Sequence, residues 1–392
     1  MFPMLSLSDF SFLSRRVDDA IDRALTAERL VGAVVLIARD GTTVHRRAAG
    51  FADRETGRPM RDDAIFRLAS LTKTIVATAA MILAEQGHLS LDDAVTRWLP
   101  DFRPAGPDGG DATITLRQLL THTSGLTYGL FQGPDGQYRK AGVSDGLAGP
   151  SLSMAEELRR LASVPLCWRP GTAWNYSLSM DVLGAILAAA GGQPLPDLVR
   201  RLVTGPLGMA DTSFGVTDEA RLVVPYVPQP GASPFPARRM DDPDQFIDEN
   251  GFVTEFSPSR AFDPVAFPSG GAGMQGTASD FLRLLETLRQ GGAPLLSAQS
   301  VQAMMSNQIG NLRINVEPTP SWGFGFGGAV LLDQAMAGDP RPAGTWKWGG
   351  VYGHHWYIDP VNRLSVLSLS NVAMEGMTGR FPAELMSAIY GA

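Results

Sequence analysis

The chain has 392 residues, 44% of them hydrophobic, and a formal net charge of −7, which describes one large or two ordinary globular domains with a sizeable core. An acidic balance without a basic patch excludes a nucleic-acid binder, and the lone Cys167 excludes an intrachain disulfide or a cysteine metal cluster. No run of about 18 apolar residues provides a membrane-spanning helix.

The segment Met1 to Asp9 has no basic start and no long apolar stretch, so it does not read as a signal peptide and a cytoplasmic location is expected. Ser8 to Leu30 has helical period, with Leu13, Val17, Ile21 and Leu25 on one face. Val31 to Ala38 and Thr43 to Ala49 flank Asp40-Gly41 and predict a hairpin. Leu71 to Gln86 is apolar nearly all round and predicts a buried helix. A further helix is expected from Leu91 to near Pro100, and a short one at Thr115 to Leu120. The rest of Pro104 to Gly149 reads as loop, including the stretch Gly133 to Ala141. Helices follow at Met154 to Ala162 and Leu178 to Ala190, an irregular excursion at Pro225 to Pro268, and an amphipathic helix at Thr277 to Gln290. Strands are expected at Ala329 to Asp333, Thr345 to Trp348, Trp356 to Ile358 and Leu364 to Leu369, then a final helix near Arg380 to Ile389.

Strand-rich ends around a helical middle predict an α+β fold. Residues 1–65 and 291–392 would form one discontinuous domain around an antiparallel sheet, with 66–290 an inserted, mainly helical domain and the active site in the cleft between them.

Lysine occurs only at positions 73, 140 and 347, against 30 arginines, which makes Ser70-Leu71-Thr72-Lys73 an uncommon pattern here. Lysine, unlike arginine, can shed its proton and act as a base. On a helix starting near Leu71 the two side chains share a face, with the Ser70 amide free at the N-terminus. An N-capping serine beside a surface lysine would give the same spacing. Gly142-Val143-Ser144-Asp145-Gly146 matches the nucleophile-elbow pattern, with His354 and Asp359 as conceivable partners, but lacks the strand before it and the helix after it. His122, in Thr121-His122-Thr123-Ser124-Gly125-Leu126, is read as a loop brace without a catalytic role. Pro170-Gly171-Thr172-Ala173-Trp174-Asn175-Tyr176-Ser177 is a loop able to aim Tyr176 into a cleft, where a neighbouring lysine would favour proton transfer. Trp348-Gly349-Gly350 ends a strand in two residues that permit close backbone approach. The histidines show no metal-ligand spacing, there is no phosphate loop, and no cofactor or metal is expected.

Ser70-Leu71-Thr72-Lys73, His122-Thr123-Ser124-Gly125-Leu126, the Pro170 to Ser177 loop and Trp348-Gly349-Gly350, in that order, resemble the serine β-lactamase and penicillin-binding superfamily, and are most similar to the family VIII carboxylesterases, which share the class C β-lactamase fold. Ser70-Leu71-Thr72-Lys73 matches the nucleophile motif, Tyr176-Ser177 the start of Tyr-x-Asn, and Trp348-Gly349-Gly350 falls where lactamases carry Lys-Thr-Gly. Leu178 stands for the asparagine of the second motif and Trp348 for the lysine of the third. An indole carries no positive charge for a lactam carboxylate, so neutral acyl esters are the expected substrates.

The resemblance implies that Ser70 attacks the ester carbonyl while Lys73 and Tyr176 handle its proton, and that the amides of Ser70 and Val351 form the oxyanion hole. Trp348, Gly349, Gly350 and Tyr128 would contact a small-molecule ester, and Gly129-Leu130-Phe131 would shape the acyl pocket. No nucleic-acid or membrane partner is implied. Acyl transfer at the same site and class C-like lactam hydrolysis are the alternatives within the fold; a non-catalytic scaffold is the alternative outside enzymology, which the intact Ser70, Lys73 and Tyr176 set disfavours.

Overall fold

The computed structural model describes residues 10–149, 151–229, 236–248, 251–317 and 319–391. Its centre is an eight-stranded antiparallel sheet in the order Trp322–Phe324, Ala329–Leu331, Trp346–Gly350, His354–Asp359, Leu364–Ser370, Gly32–Arg39, Thr42–Asp53, Arg58–Pro59. The two ends of the chain meet where Gly32–Arg39 pairs with Leu364–Ser370, Ala33 opposite Ser370 and Arg39 opposite Leu364.

Strand periodicity dictates the layers. Ala33, Val35 and Ile37 face the helices Phe10–Thr26 and Arg380–Tyr390, packing with Leu13, Val17, Ile21, Phe381 and Leu385. Val34, Leu36 and Ala38 point the other way, into the larger core that includes Ile75, Leu183 and Phe281. The helix Thr72–Glu85 lies within that core with Ile75, Val76, Ala79 and Leu83 fully buried, as its all-round apolar sequence requires.

Most expected elements lie within a residue or two of their observed bounds; the expected helix start at Ser8 lies outside the described residues, as do 230–235 and 249–250 of the excursion. Four expectations need correction. Between Leu91 and Pro100 only the 3-10 turn Val95–Arg97 forms, because Val95 N donates to Ile114 O and Asp92 pairs with Arg117 instead of starting a helix. Gln137–Ala141 is a short helix, with Tyr138 buried beneath it. The segment Leu195–Val199, continued by the π turn Arg200–Thr204, is helical and was not foreseen. The helix Ala278–Arg289, expected in the inserted helical domain, packs on Gly32–Arg39 and Leu364–Ser370, so it covers the sheet. Its Phe281, Leu284, Leu285 and Leu288 make a stripe buried in the large core on that face of the sheet. The excursion, where described, carries short two-stranded ribbons at Tyr226–Val227 with Arg238–Arg239 and at Asp244–Ile247 with Val253–Phe256.

Candidate active site

Ser70 sits in the 3-10 turn Ala69–Leu71 that leads directly into Thr72–Glu85. Ala69 holds φ +46°, a left-handed conformation costly for any residue with a Cβ. The turn is clamped on one side by Leu68 N donating to Met274 O (2.9 Å) and Met274 N donating to Thr72 Oγ1 (3.1 Å). On the other side comes the strand Trp346–Gly350. A Cβ on Gly350 would lie 2.7 Å from Leu68 O, so only glycine lets the strand end approach this closely. The Ser70 side chain makes no helix-capping bond. Neither Ser70 N nor Val351 N donates to an acceptor among the described residues, leaving two amides open beside the hydroxyl.

Lys73, one turn on, is 1% exposed. Its Nζ donates to Ser70 Oγ (3.0 Å) and to Gly271 O (2.7 Å). Tyr176 OH donates to the same Ser70 Oγ at 2.7 Å, and the ammonium lies 4.7 Å from the Tyr176 ring centre. The Tyr176 ring is fixed on several sides, by Tyr128 (5.1 Å), Trp348 (5.1 Å) and His122 (4.9 Å) among others. The loop that carries it is anchored by Asn175, whose Nδ2 donates to Leu126 O (3.3 Å) and whose Oδ1 accepts from Asn315 (3.0 Å).

The structure thus brings Ser70, Lys73, Tyr176 and Trp348 together. The Trp348 indole donates to Tyr176 OH (3.2 Å), so its N–H is engaged and the side chain offers a ligand chiefly its apolar face. Lys347, one residue away, turns to the opposite side and pairs with Glu317 (2.8 Å) over the Trp322 ring. Tyr128, expected at a substrate-contacting position, is buried behind Tyr176 with Lys73 Nζ 5.5 Å from its ring. It forms the wall that holds the lysine, and burial pushes its phenol well above the usual range. Gly349 sits against Met377 and His354 O. Gly129, Leu130 and Phe131 form a 3-10 turn whose first two amides donate to buried Asp145 (2.8 and 3.1 Å).

Ser144 is excluded as a nucleophile by its surroundings. It is 2% exposed, its Oγ donates to Ala148 O (2.7 Å), and no strand precedes it. His354 is spent on Arg67 O and Asp359 on Asn362 and Tyr390. His122, at φ +56°, places Nδ1 3.1 Å from Ser177 Oγ and accepts Asn175 N at its carbonyl. Burial, then the Lys73 charge, drives its pKa well down, so a neutral ring braces the Tyr176 loop.

Two contributors escaped the sequence reading. Gly271 supplies the carbonyl on Lys73; a Cβ there would sit 2.7 Å from Asp181 Oδ2, 3.2 Å from Tyr128 OH and 3.4 Å from Lys73 Nζ. Asp181, 2% exposed, accepts from Ser269 Oγ (2.5 Å) and Gly271 N (3.4 Å), and so orients the peptide that holds the lysine. Its second oxygen has no hydrogen-bond donor. Burial raises its pKa; the Ser269 bond and the Lys73 charge oppose the rise. The signals were there: a lone acid in the otherwise apolar Ser179–Gly191, and the small-residue run Ser269-Gly270-Gly271-Ala272-Gly273 ahead of a strand.

A hydroxyl that accepts from an amine and a phenol, beside two open amides and the apolar face of Trp348, is equipped for acyl transfer. The Beta-lactamase family matches the chain over residues 17–388. The chain is 48% identical over 384 residues to "Esterase EstB" of Burkholderia gladioli, covering 97% of this chain and 96% of that one. Among solved structures it resembles "EstCE1, a hydrolase with promiscuous acyltransferase activity", with TM-score 0.93, 43% identity and 98% and 100% of the two chains covered. Unliganded selenomethionyl simvastatin synthase (LovD) from Aspergillus terreus shares the fold, with TM-score 0.74, 22% identity and coverage of 96% and 97%.

Proposed function

The chain belongs to the beta-lactamase family, and on that premise we propose that it hydrolyses short-chain acyl esters of neutral alcohols through an acyl-enzyme on Ser70. It is a carboxylic ester hydrolase of the serine type. The observation that carries the residue roles is the convergence of Lys73 Nζ, 3.0 Å away, and Tyr176 OH, 2.7 Å away, on one serine oxygen.

Ser70 Oγ attacks the ester carbonyl and passes its proton to the Lys73–Tyr176 pair. The amides of Ser70 and Val351 take the developing oxyanion. The pair returns the proton to the departing alkoxide, and the alcohol leaves. Water then attacks the acyl carbon, and the same groups work in reverse to release the acid and restore Ser70. Gly271 O and the Asp181-braced turn keep Lys73 on the serine throughout.

The apolar faces of Trp348 and Tyr176 favour a neutral leaving group. A lactam carboxylate would meet no cation from that strand, because Lys347 is committed to Glu317 on the other side. The absent charge-assisted contact amounts to roughly 10- to 150-fold in recognition. Acyl transfer to an alcohol in place of water is the second reading, favoured by the 43% identity to a hydrolase described as having that activity.

The test is kcat/KM for p-nitrophenyl acetate, butyrate and palmitate beside a chromogenic cephalosporin, with a phosphonate inhibitor mapped by peptide mass. Short esters should dominate and Ser70 should carry the label. A cephalosporin rivalling the butyrate ester would replace the esterase reading by a lactamase one. A hexyl ester formed in the presence of 1-hexanol would establish the acyl-transfer reading.

A further inference from the structure

Behind the nucleophile lies a cavity of about 770 Å³ whose lining includes none of Ser70, Lys73 and Tyr176. It runs between the helical segment around Val199 and Thr204 and the stretch from Ser257 to Pro268. Its floor, Ala272 to Gln275, follows directly on Gly271, the carbonyl partner of Lys73, and includes Met274, which clamps Leu68 and Thr72. The cavity and the catalytic turn therefore share one segment.

Met209, Phe214 and Phe267 give the cavity apolar walls. Its charged residues are mostly committed within the protein. Arg67 donates to Val223 O and Pro258 O, Arg200 pairs with Asp197, and Asp263 accepts from the Val265 and Ala266 amides and from Ser151. Arg260 is the exception. Its guanidinium donates once, to Phe267 O (3.2 Å), and rests 4.7 Å from the Phe267 ring. It makes no direct ion pair among the described residues; Asp181, Glu157 and Asp263 act on its charge from further off, and most of its five donors remain unused. Gln275, 4% exposed, spends its amide nitrogen on Gly273 O while its amide oxygen finds no donor. A buried amide oxygen without a donor is uncommon unless something else supplies one, and the half-buried Arg260 guanidinium lines the same cavity.

We propose that this cavity is a second binding site, separate from Ser70, for an organic carboxylate with a short apolar chain. The carboxylate takes the free fork of Arg260, and the chain lies against Met209, Phe214 and Phe267. Its occupant presses on the segment carrying Gly271 and Met274, so binding is felt at Lys73 without competing for the acyl cleft. The acid released by ester hydrolysis belongs to this chemical class, but the binding claim stands on the cavity alone.

Hexanoate is the probe, with 1-hexanol as the uncharged control. Titration calorimetry should show saturable hexanoate binding that 1-hexanol does not match. Arg260→Gln should weaken it roughly 10- to 150-fold, the range of one charge-assisted contact. Ala266→Trp, which fills the cavity from its partly exposed rim, should weaken it without touching Arg260. Against p-nitrophenyl butyrate, hexanoate should inhibit non-competitively, and Arg260→Gln should remove that inhibition. Purely competitive inhibition would put the acid at Ser70 and overturn the proposal. So would the absence of saturable binding, or affinity unchanged in both variants at unchanged Tm.

Discussion

Replacing Tyr176 by phenylalanine isolates one oxygen atom. The ring contacts to Tyr128, Trp348 and His122 do not depend on the hydroxyl and persist in Tyr176→Phe. What disappears is the 2.7 Å bond to Ser70 Oγ and the acceptor for the Trp348 indole, 3.2 Å away. Ser70 and Trp348 are both partly exposed, so water replaces the lost partners, and the stability cost should stay near 1 kcal/mol. For a chain of 392 residues that corresponds to a Tm change of only about 1 °C. The catalytic cost should be far larger. A positioned proton donor or acceptor contributes typically 10²- to 10⁴-fold, about 3–5 kcal/mol of barrier. The leaving group refines the test, because p-nitrophenolate departs without a proton whereas an ethoxide needs one. The loss in kcat/KM should therefore be larger for ethyl butyrate, followed by pH-stat titration, than for p-nitrophenyl butyrate, followed by absorbance. A loss under about 5-fold on both esters would refute a proton-handling role for Tyr176, and an equal large loss on both would refute its delivery of the proton to the leaving group.

Other perturbations probe the same arrangement. Lys73→Arg should be nearly as damaging as Lys73→Ala, on the order of 10³-fold in kcat/KM, since arginine keeps the charge but cannot act as the base; retention of most activity would reduce the lysine to an electrostatic support. Ser70→Ala should lose about 10³-fold or more in ester turnover. Ser144→Ala should instead lower Tm, at about 1–3 kcal/mol for a buried hydroxyl that donates to Ala148 O and accepts Gly146 N, while turnover per folded enzyme is retained. Stability should also depend on Glu157, whose buried carboxyl is pushed up to about 8 mainly by desolvation. Its folded pKa lies above the unfolded value near 4.5, so the native state binds the extra proton between those limits and stability falls as pH rises from about 5 to 8. Glu157→Gln keeps an acceptor for Ser144 N and should flatten that decline, raising Tm at pH 9 but not at pH 5; identical Tm–pH slopes in the two proteins would contradict this.

How much of this protein was legible in its sequence follows from the range over which each signal acts. Period-2 and period-3.6 patterns place Gly32–Arg39, Thr72–Glu85, Met154–Ala162 and Leu364–Ser370 because burial of one face or of the whole element is written into consecutive residues. The Ser70–Lys73 spacing is equally local, one helical turn, and the rarity of lysine made it conspicuous. The turn at Leu91 to Pro100 escaped because its backbone bonds go to Ile114, beyond any local window. The helix Ala278–Arg289 was legible as a helix, yet which surface its apolar stripe covers depends on a sheet whose halves come from opposite ends of the chain. The site divides the same way. Sequence named the serine, the lysine, the tyrosine and the Trp-Gly-Gly strand. Only packing reveals that the Trp348 N–H is engaged by Tyr176, that Tyr128 stands behind the lysine, and that Asp181 and Gly271 hold it. Those facts are distances between residues up to about two hundred positions apart, and no pattern along one segment encodes them.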